Sequence, residues 1–451
     1  MKLTFLGATE TVTGSKYLLT YDSKNILIDC GLFQGYKELR LRNWQTLPID
    51  PKQIDAVIIT HAHIDHSGYL PLLMKNGYTG PIYATRGTKD LCSIMLPDSG
   101  HIQEEDAFRA NKYGYSKHKI ALPLYTKLEA EKVLKQFVAL EFNDPFKLDQ
   151  NCQFTLLPAG HILGASIIEI KVQNKKIIFS GDLGRRNDPI IDEPTRIESA
   201  DYIIIESTYG NRLHEKTSPY KELKTIILNT AKRGGTVIIP AFTVGRAQTV
   251  LYYIHQLKLK HAIPDIPVFV DSPMATKVTH LLEHYVGEHR LTKNECREVS
   301  QTATYISNIE ESKQIDNYAM PTIIISASGM ATGGRVLHHL KAFASDPKNT
   351  ILFTGFQAGG TRGARMLNGE PEIKIHGKMI RVRAKVENLN NISAHADYEE
   401  TLYWLSHFKH KPKSVFITHG ELDAATSLKE KIENQFHWHC IIPNYMQTIE
   451  L

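Results

Sequence analysis

Residues 56–66 read Ala-Val-Ile-Ile-Thr-His-Ala-His-Ile-Asp-His, AVIITHAHIDH, and this stretch decides the fold. Ala56 to Ile59 form the short apolar, β-branched run of a strand buried on both faces. Directly after it, His61, His63, Asp65 and His66 place four donor side chains on one loop. Imidazole and carboxylate are good ligands for zinc-like ions, and a loop leaving a strand lets positions i, i+2, i+4 and i+5 splay around a centre. The spacing supplies too many ligands for one tetrahedral ion. His61 and His63 suit one ion and Asp65 and His66 a second, with residues from later strand ends completing both sets.

Upstream, LTFLGA (3–8), SKYLLTY (15–21) and NILIDCG (25–31) are β-rich runs, and the turn residues of DSKN make them a meander. Asp29 ends the third run. Downstream, YLPLLMKNG predicts a short helix and Arg86–Gln136 a helix-rich stretch. Strands return as QFTLLPAG, SIIEIKV, KIIFSGD and YIIIEST, and a polar residue follows or closes three of them: His161, Asp182 and Glu206. Polar residues just past apolar strands stand at the rim of a sheet, where layered α/β folds build their sites.

Beyond Tyr209 the rhythm becomes βα alternation. A helix over Pro219–Lys232 is followed by TVIIPAF, a helix from Arg246, VFVDSP, another helix, TIIISASG, a helix from Arg335 and TILFTGF. Such alternation predicts a mostly parallel sheet covered by helices. The tail has a third pattern, with IRVRAKVENL, SAHAD, a helix, SVFITHGE and a terminal helix. VFITHGE mirrors AVIITHAH, which predicts that the tail returns to the first sheet. The expected domains are therefore 1–208, an insertion over 209–384, and a returning part over 385–451.

Composition bounds the rest. With 451 residues, 42% hydrophobic and 22% charged, the chain is ordinary globular protein, neither disordered nor fibrous. A net charge of +5 suits a polyanionic partner without identifying one. Five scattered cysteines without a CxxC argue against a disulfide scaffold and for a reducing compartment. No apolar run reaches the ~18 residues of a membrane span, and MKLTFLGATE lacks signal-peptide character. The expected location is cytoplasmic.

Taken in order, HAHIDH, AGHILGAS, FSGDLG, IESTYG, SAHAD and THGE resemble the metallo-β-lactamase superfamily and, within it, the β-CASP nucleases, over nearly the whole chain. The resemblance implies an α/β fold: a discontinuous metallo-β-lactamase αββα sandwich with an inserted β-CASP α/β domain whose sheet is mainly parallel. It implies two Zn2+ ions per chain, one held by His61, His63, His161 and Asp182, the other by Asp65, His66, His419 and the shared Asp182. Asp29 matches the family's early aspartate, which orients histidine ligands. PAFTVGRAQ, ISASGMATGGR and GTRGARML look most like the branch containing the RNA 3′-end-processing endonuclease of the cleavage and polyadenylation machinery. The KH modules of archaeal relatives and the C-terminal domain of the RNase J branch are not seen, so the expected type is the minimal bacterial nuclease.

Two ions ~3.5–4 Å apart suit in-line displacement at a phosphodiester. His395 in SAHAD is the candidate acid for the leaving 3′-oxygen and Glu206 the carboxylate that orients it. DNA-directed members carry valine where this chain has His419, which favours RNA. The turn SASGMATGGR lies between a strand and a helix N-terminus, where free N–H groups favour anions; Ser328 and Gly329 are the candidate phosphate contacts, with Arg246 and Arg335 beside them. The expected activity is zinc-dependent hydrolysis of single-stranded RNA in a narrow interdomain cleft, leaving 5′-phosphate and 3′-hydroxyl ends. The cut is expected to be endonucleolytic, with 5′-exonuclease action left open. The competing readings are a hydrolase of a small thioester or lactam-like substrate and a DNA-directed β-CASP nuclease. No membrane partner is expected, and a homodimer is left open.

Overall fold

Alternation along the first strands sends Leu3, Phe5, Tyr17, Leu19, Tyr21, Ile26 and Ile28 to one face, where all are buried. The computed structural model describes residues 1–114 and 118–451; residues 115–117, inside the helix-rich stretch expected over Arg86–Gln136, lie outside the described residues. Met1–Leu213 together with His395–Leu451 make one compact unit, and His214–Ala394 make another.

The first unit contains two seven-stranded sheets among the described residues. One runs, in spatial order, Thr448–Glu450, Lys2–Phe5, Tyr17–Tyr21, Lys24–Ile28, Ala56–Ile58, Ile82–Thr85 and Phe137–Leu140. It is antiparallel up to Lys24–Ile28 and parallel from there on. The other runs Cys440–Ile441, Ser414–Thr418, Tyr202–Glu206, Lys175–Phe179, Ser166–Val172, Cys152–Pro158 and Phe146–Lys147. The inward residues of both sheets form one core, in which Phe5 of the first meets Phe416 of the second at 5.3 Å between ring centroids. Helix Arg86–Tyr113 packs against strands of the first sheet and helix Leu422–Phe436 against strands of the second. The layers are those of the metallo-β-lactamase sandwich, and the parallel edge strands all end toward the donor-bearing loops.

The mirrored strand behaves differently from expectation. Ser414–Thr418 pairs in parallel with Tyr202–Glu206, in the second sheet, not with the sheet that holds Ala56–Ile58. The two Thr-His strand ends therefore approach the site from facing sheets. Of the tail's strands, Thr448–Glu450 reaches the first sheet, pairing with Lys2–Phe5.

In the second unit, Thr304–Tyr305, Val268–Asp271, Ile323–Ser326, Val237–Pro240, Thr350–Phe353 and Lys385–Asn388 form a six-stranded sheet whose neighbours are all parallel. Alternate residues go to opposite faces. Ile239, Val270 and Ile325 join Val250, Leu251 and Ile254 in one buried cluster, while Ile238, Phe269 and Ile324 join Val336, Leu337 and Leu340 in another. Burial on both faces explains why these strands read as continuous apolar runs. Among the described residues, no helix is long and apolar enough to cross a membrane.

Candidate metal centre

The donor loops all leave strands of the first unit at one rim, and close backbone packing holds them there. A Cβ on Gly31 would lie 1.5 Å from the Asp65 carbonyl oxygen, and one on Gly184 would lie 1.6 Å from the Gly160 carbonyl oxygen. Only glycine allows these loops to touch. Backbone bonds then lock the histidine loop, Cys30 N to His66 O at 2.7 Å and Leu32 N to Ile64 O at 2.9 Å. Asp29 and His419, each just past a strand, take φ of 56° and 49°, the left-handed region that costs a non-glycine residue about 1–3 kcal/mol.

Two donor sets result. His61, His63, His161 and Asp182 bring one ligand atom each within 4.8 Å of one another, and so do Asp65, His66 and His419. In the first set, His61 Nε2 and His161 Nε2 lie 3.1 and 3.2 Å from His63 Nδ1, and 3.4 and 3.5 Å from Asp182 Oδ2. In the second, His419 Nε2 lies 3.1 Å from His66 Nε2 and 3.4 Å from Asp65 Oδ2. Asp182 faces both. Its Oδ1 lies 3.2 Å from His66 Nε2, while its Oδ2 serves the first set.

These separations fit a cation. With Zn–N of 2.0–2.1 Å, the edge of a tetrahedral shell is about 3.3 Å. The donor chemistry fits as well. Burial first, then His66, lowers His61 to about 3, and burial lowers His63 to about 4, so both rings are neutral with lone pairs to give. Burial would protonate Asp182, but His419, His66 and His61 outweigh it and hold the carboxyl well below its usual range. Asp182 Oδ1, His63 Nε2 and His161 Nδ1 are buried without a hydrogen-bond partner.

Around the donors stand groups that aim them. Asp29 accepts from Thr60 N at 2.8 Å and lies 2.8 Å from His66 Nδ1, which turns His66 Nε2 toward Asp182. Thr60 Oγ1 lies 2.9 and 3.0 Å from the Asp29 oxygens and 3.0 Å from His61 Nδ1. Thr208 does the same for His419. Its hydroxyl lies 3.1 Å from His419 Nδ1 and donates to the His419 carbonyl at 3.2 Å. Neither threonine stands out in the sequence, because threonine is ordinary at strand ends and no spacing marks it.

His395 lies against this centre without belonging to either donor set. Its Nδ1 is 3.1 Å from Glu206 Oε2 and 3.9 Å from Asp182 Oδ2. Glu206 is pinned in turn by the Leu183 amide at 2.6 Å. Burial opposes charge on His395, but Glu206 and Asp182 outweigh it and raise its pKa above the ordinary value. Its side chain keeps 19% of its surface exposed, against 3% for Glu206.

The four residues expected to meet substrate phosphates lie in the second unit. The Ser328 hydroxyl accepts from the Thr332 amide at 2.9 Å and the Gly333 amide at 3.4 Å, so amides expected to face an anion are satisfied inside the turn. A Cβ on Gly329 would lie 2.6 Å from Phe242. Arg246 is buried at the start of helix Arg246–Leu259. Arg335 is drawn inward, its Nη1 donating to Asp271 at 2.6 Å and its Nη2 to the Ser307 carbonyl at 3.2 Å.

Three family models match in succession: the metallo-beta-lactamase superfamily over residues 11–214, the Beta-Casp domain over 247–366, and the Zn-dependent metallo-hydrolase RNA specificity domain over 379–443. Ribonuclease TTHA0252 of Thermus thermophilus is 35% identical over 440 residues, covering 95% of each chain. Transcription termination factor FttA of Methanosarcina mazei is 32% identical over 458 residues, covering 96% of this chain and 69% of its own. A solved structure from Enterococcus faecalis, titled as a protein of unknown function, superposes with a TM-score of 0.56 at 15% identity, over 100% of this chain and 99% of the other. With the three models matched in succession and a relative 35% identical over 95% of each chain, the chain belongs to the metallo-beta-lactamase superfamily and, within it, to the β-CASP family.

Proposed function

We propose that this chain is a two-zinc ribonuclease that hydrolyses phosphodiester bonds of single-stranded RNA endonucleolytically, leaving 5′-phosphate and 3′-hydroxyl ends. The observation that carries this reading is the two-sided setting of Asp182, whose oxygens face two separate histidine sets. That RNA is the substrate class follows from the ribonuclease relative and the RNA specificity model. In this reading His61, His63, His161 and Asp182 hold one ion, and Asp65, His66, His419 and Asp182 hold the other. Bound there, the ions would activate a water and neutralise the phosphodiester's charge.

The chain's own groups do the rest. Asp29 and Thr60 keep the His66 and His61 lone pairs aimed inward. Glu206 holds His395 by Nδ1 and favours its charged form, so that Nε2 carries the proton delivered to the leaving 3′-oxygen. Because water attacks and the ribose does not, the 2′-hydroxyl is not required. His61, His66, His161, Asp182 and His419 are each no more than 3% exposed, and a flexible single strand reaches such a depth where a stiff A-form duplex does not. In this reading Met1–Leu213 with His395–Leu451 are the catalytic domain and His214–Ala394 the β-CASP domain; the boundaries expected after 208 and 384 move to 213 and 394, the second because strand Lys385–Asn388 pairs with Thr350–Phe353 inside the second unit's sheet. The β-CASP domain would bind distant phosphates near Ser328, Gly329 and Arg246, with Arg335 holding Asp271. The reading also assigns the protein to the cytoplasm.

The test uses one end-labelled RNA as single strand, as duplex, and with a single 2′-deoxy residue at the cut site, each with and without chelator. Cleavage of the single strand and of the deoxy-substituted strand, with 5′-phosphate ends and full loss on chelation, is expected. Equal cleavage of duplex overturns the single-strand assignment, and a 2′,3′-cyclic phosphate product overturns attack by water.

A further inference from the structure

The segment GYKELRLRNW, residues 35–44, has no part in the chemistry described above, yet it is built with care. Tyr36, Leu41 and Trp44 are 52%, 50% and 59% exposed, and Lys37 and Arg40 are exposed beside them. A single exposed apolar residue needs no explanation. Here two large rings and three cations lie within nine residues, with Glu38 as the one acid.

The frame beneath them is fixed. Buried Asn43 clamps Phe33 in both directions, accepting from its amide at 2.9 Å and donating to its carbonyl at 2.8 Å. Arg42 is held between rings, its guanidinium carbon 5.4 Å from the centre of Phe33 and 4.1 Å from that of Tyr445. Trp44 N bonds the Leu41 carbonyl at 3.1 Å and closes helix Lys37–Arg42. Next to Phe33, Leu32 N bonds the Ile64 carbonyl at 2.9 Å, one residue before Asp65. The exposed rings are thus anchored to the loop that carries the second donor set.

We propose that Trp44 and Tyr36, with Lys37 and Arg40, form a stacking platform for unpaired bases of single-stranded RNA, which holds the strand as it enters the metal centre. The proposal rests on the ribonuclease reading and adds a binding site to it. Two unsatisfied aromatic faces suit bases, and the flanking cations suit the phosphates between them. Every base has a face, so such a platform accepts any sequence. A duplex, whose bases are stacked on each other, offers it nothing.

The chain's other tryptophans, Trp404 and Trp438, are buried, so Trp44 reports on contact by itself. In a His395→Ala background, where cleavage is slow, oligouridylate should quench tryptophan fluorescence and a duplex of equal length should not. Trp44→Ala in that background should lose the quenching and bind labelled oligouridylate roughly 5- to 150-fold more weakly, the usual worth of one stacked base. Trp44→Phe should restore most of the affinity. With His395 intact, Trp44→Ala should keep its zinc and its hydrolysis of bis(p-nitrophenyl) phosphate while KM for RNA rises. Unquenched fluorescence, or unchanged affinity in Trp44→Ala, overturns the platform. Unchanged RNA affinity with loss of self-association in sedimentation would make the patch a protein interface instead, which also overturns it. If the native protein cleaves neither RNA nor the small diester, the ribonuclease reading has failed. If it cleaves RNA and Trp44→Ala binds as tightly, the platform alone has failed.

Discussion

Asp182 and Asp271 stand at comparable places, each just past or at the end of a buried strand in an α/β unit, and they are treated in opposite ways. Asp271 is saturated. Its Oδ2 meets His339 Nε2 at 2.8 Å and Ser312 Oγ at 2.5 Å, and its Oδ1 meets Arg335 at 2.6 Å. His339 is in turn 2.7 Å from Asp316 Oδ1, so charge and hydrogen bonds both close within the fold. Asp182 has imidazole nitrogens on each side at 3.2–3.5 Å, yet its buried Oδ1 makes no hydrogen bond to any of them. A buried carboxylate that the fold satisfies serves stability, and one that it leaves open serves a ligand.

Breaking each carboxylate should therefore give opposite phenotypes. Asp182→Asn should abolish RNA hydrolysis and lower metal content at both positions, since one oxygen serves each set; elemental analysis counts the ions. A variant that kept two ions per chain would remove Asp182 from its bridging role. His395→Ala should lower turnover by roughly 10²- to 10⁴-fold with zinc retained, the usual contribution of a general acid. Loss of metal in that variant would make His395 a ligand and not a proton donor.

Asp271→Asn should leave zinc content alone and destabilise the chain by about 3–5 kcal/mol, because it strands the charges on His339 and Arg335. Urea unfolding measures this. The same network sets a pH dependence. Burial opposes charge on His339, but Asp271 and Asp316 outweigh it and raise its pKa to about 9. An unfolded histidine titrates near ~6.5, so this stabilisation is complete below that pH and is lost as pH rises through 9. Asp271 shifts the other way, downward, so its share is lost only under acid conditions. Between pH 7 and 9 the loss should be on the order of 2 kcal/mol, and smaller in Asp271→Asn, where only Asp316 still favours the charged ring. Parallel stability profiles for the two proteins would dissociate His339 from Asp271.

The contrast also explains what could be read in the sequence. Local spacing reveals donors when they are dense, and HAHIDH places four on one loop. Strand ends revealed His161, Asp182 and Glu206, because a polar residue past an apolar run stands out. The similarity of VFITH to AVIITH identified the tail as part of the same unit but misplaced its sheet, since a strand's pattern carries no partner. Arg335 gave no sign of Asp271, 64 positions away, and SASGMATGGR gave no sign that Ser328 uses the turn's amides itself. Partners that are far apart in sequence and ordinary in type are invisible until the chain is folded.

Thr208 is the clearest such partner and gives the smallest and sharpest test. Thr60 and Thr418 precede His61 and His419 in the two mirrored strands, so symmetry would have Thr418 orient His419. It does not: Thr418 Oγ1 accepts from Tyr17 OH at 3.0 Å, deep in the sandwich. Thr208, just past the neighbouring strand Tyr202–Glu206 of the same sheet, takes the role. Its hydroxyl donates to the His419 carbonyl, which leaves its lone pair to receive Nδ1–H and frees His419 Nε2 to be a ligand. Thr208→Val keeps the shape and removes the relay. It should weaken binding of the second ion about 10- to 100-fold, the usual effect of losing a group that orients a ligand, and leave the first unchanged. Competition with a chelator should show one weakened step and one native step. Thr418→Val, in the same titration, should leave both steps native, and a loss at either ion there would restore the symmetry that the structure breaks.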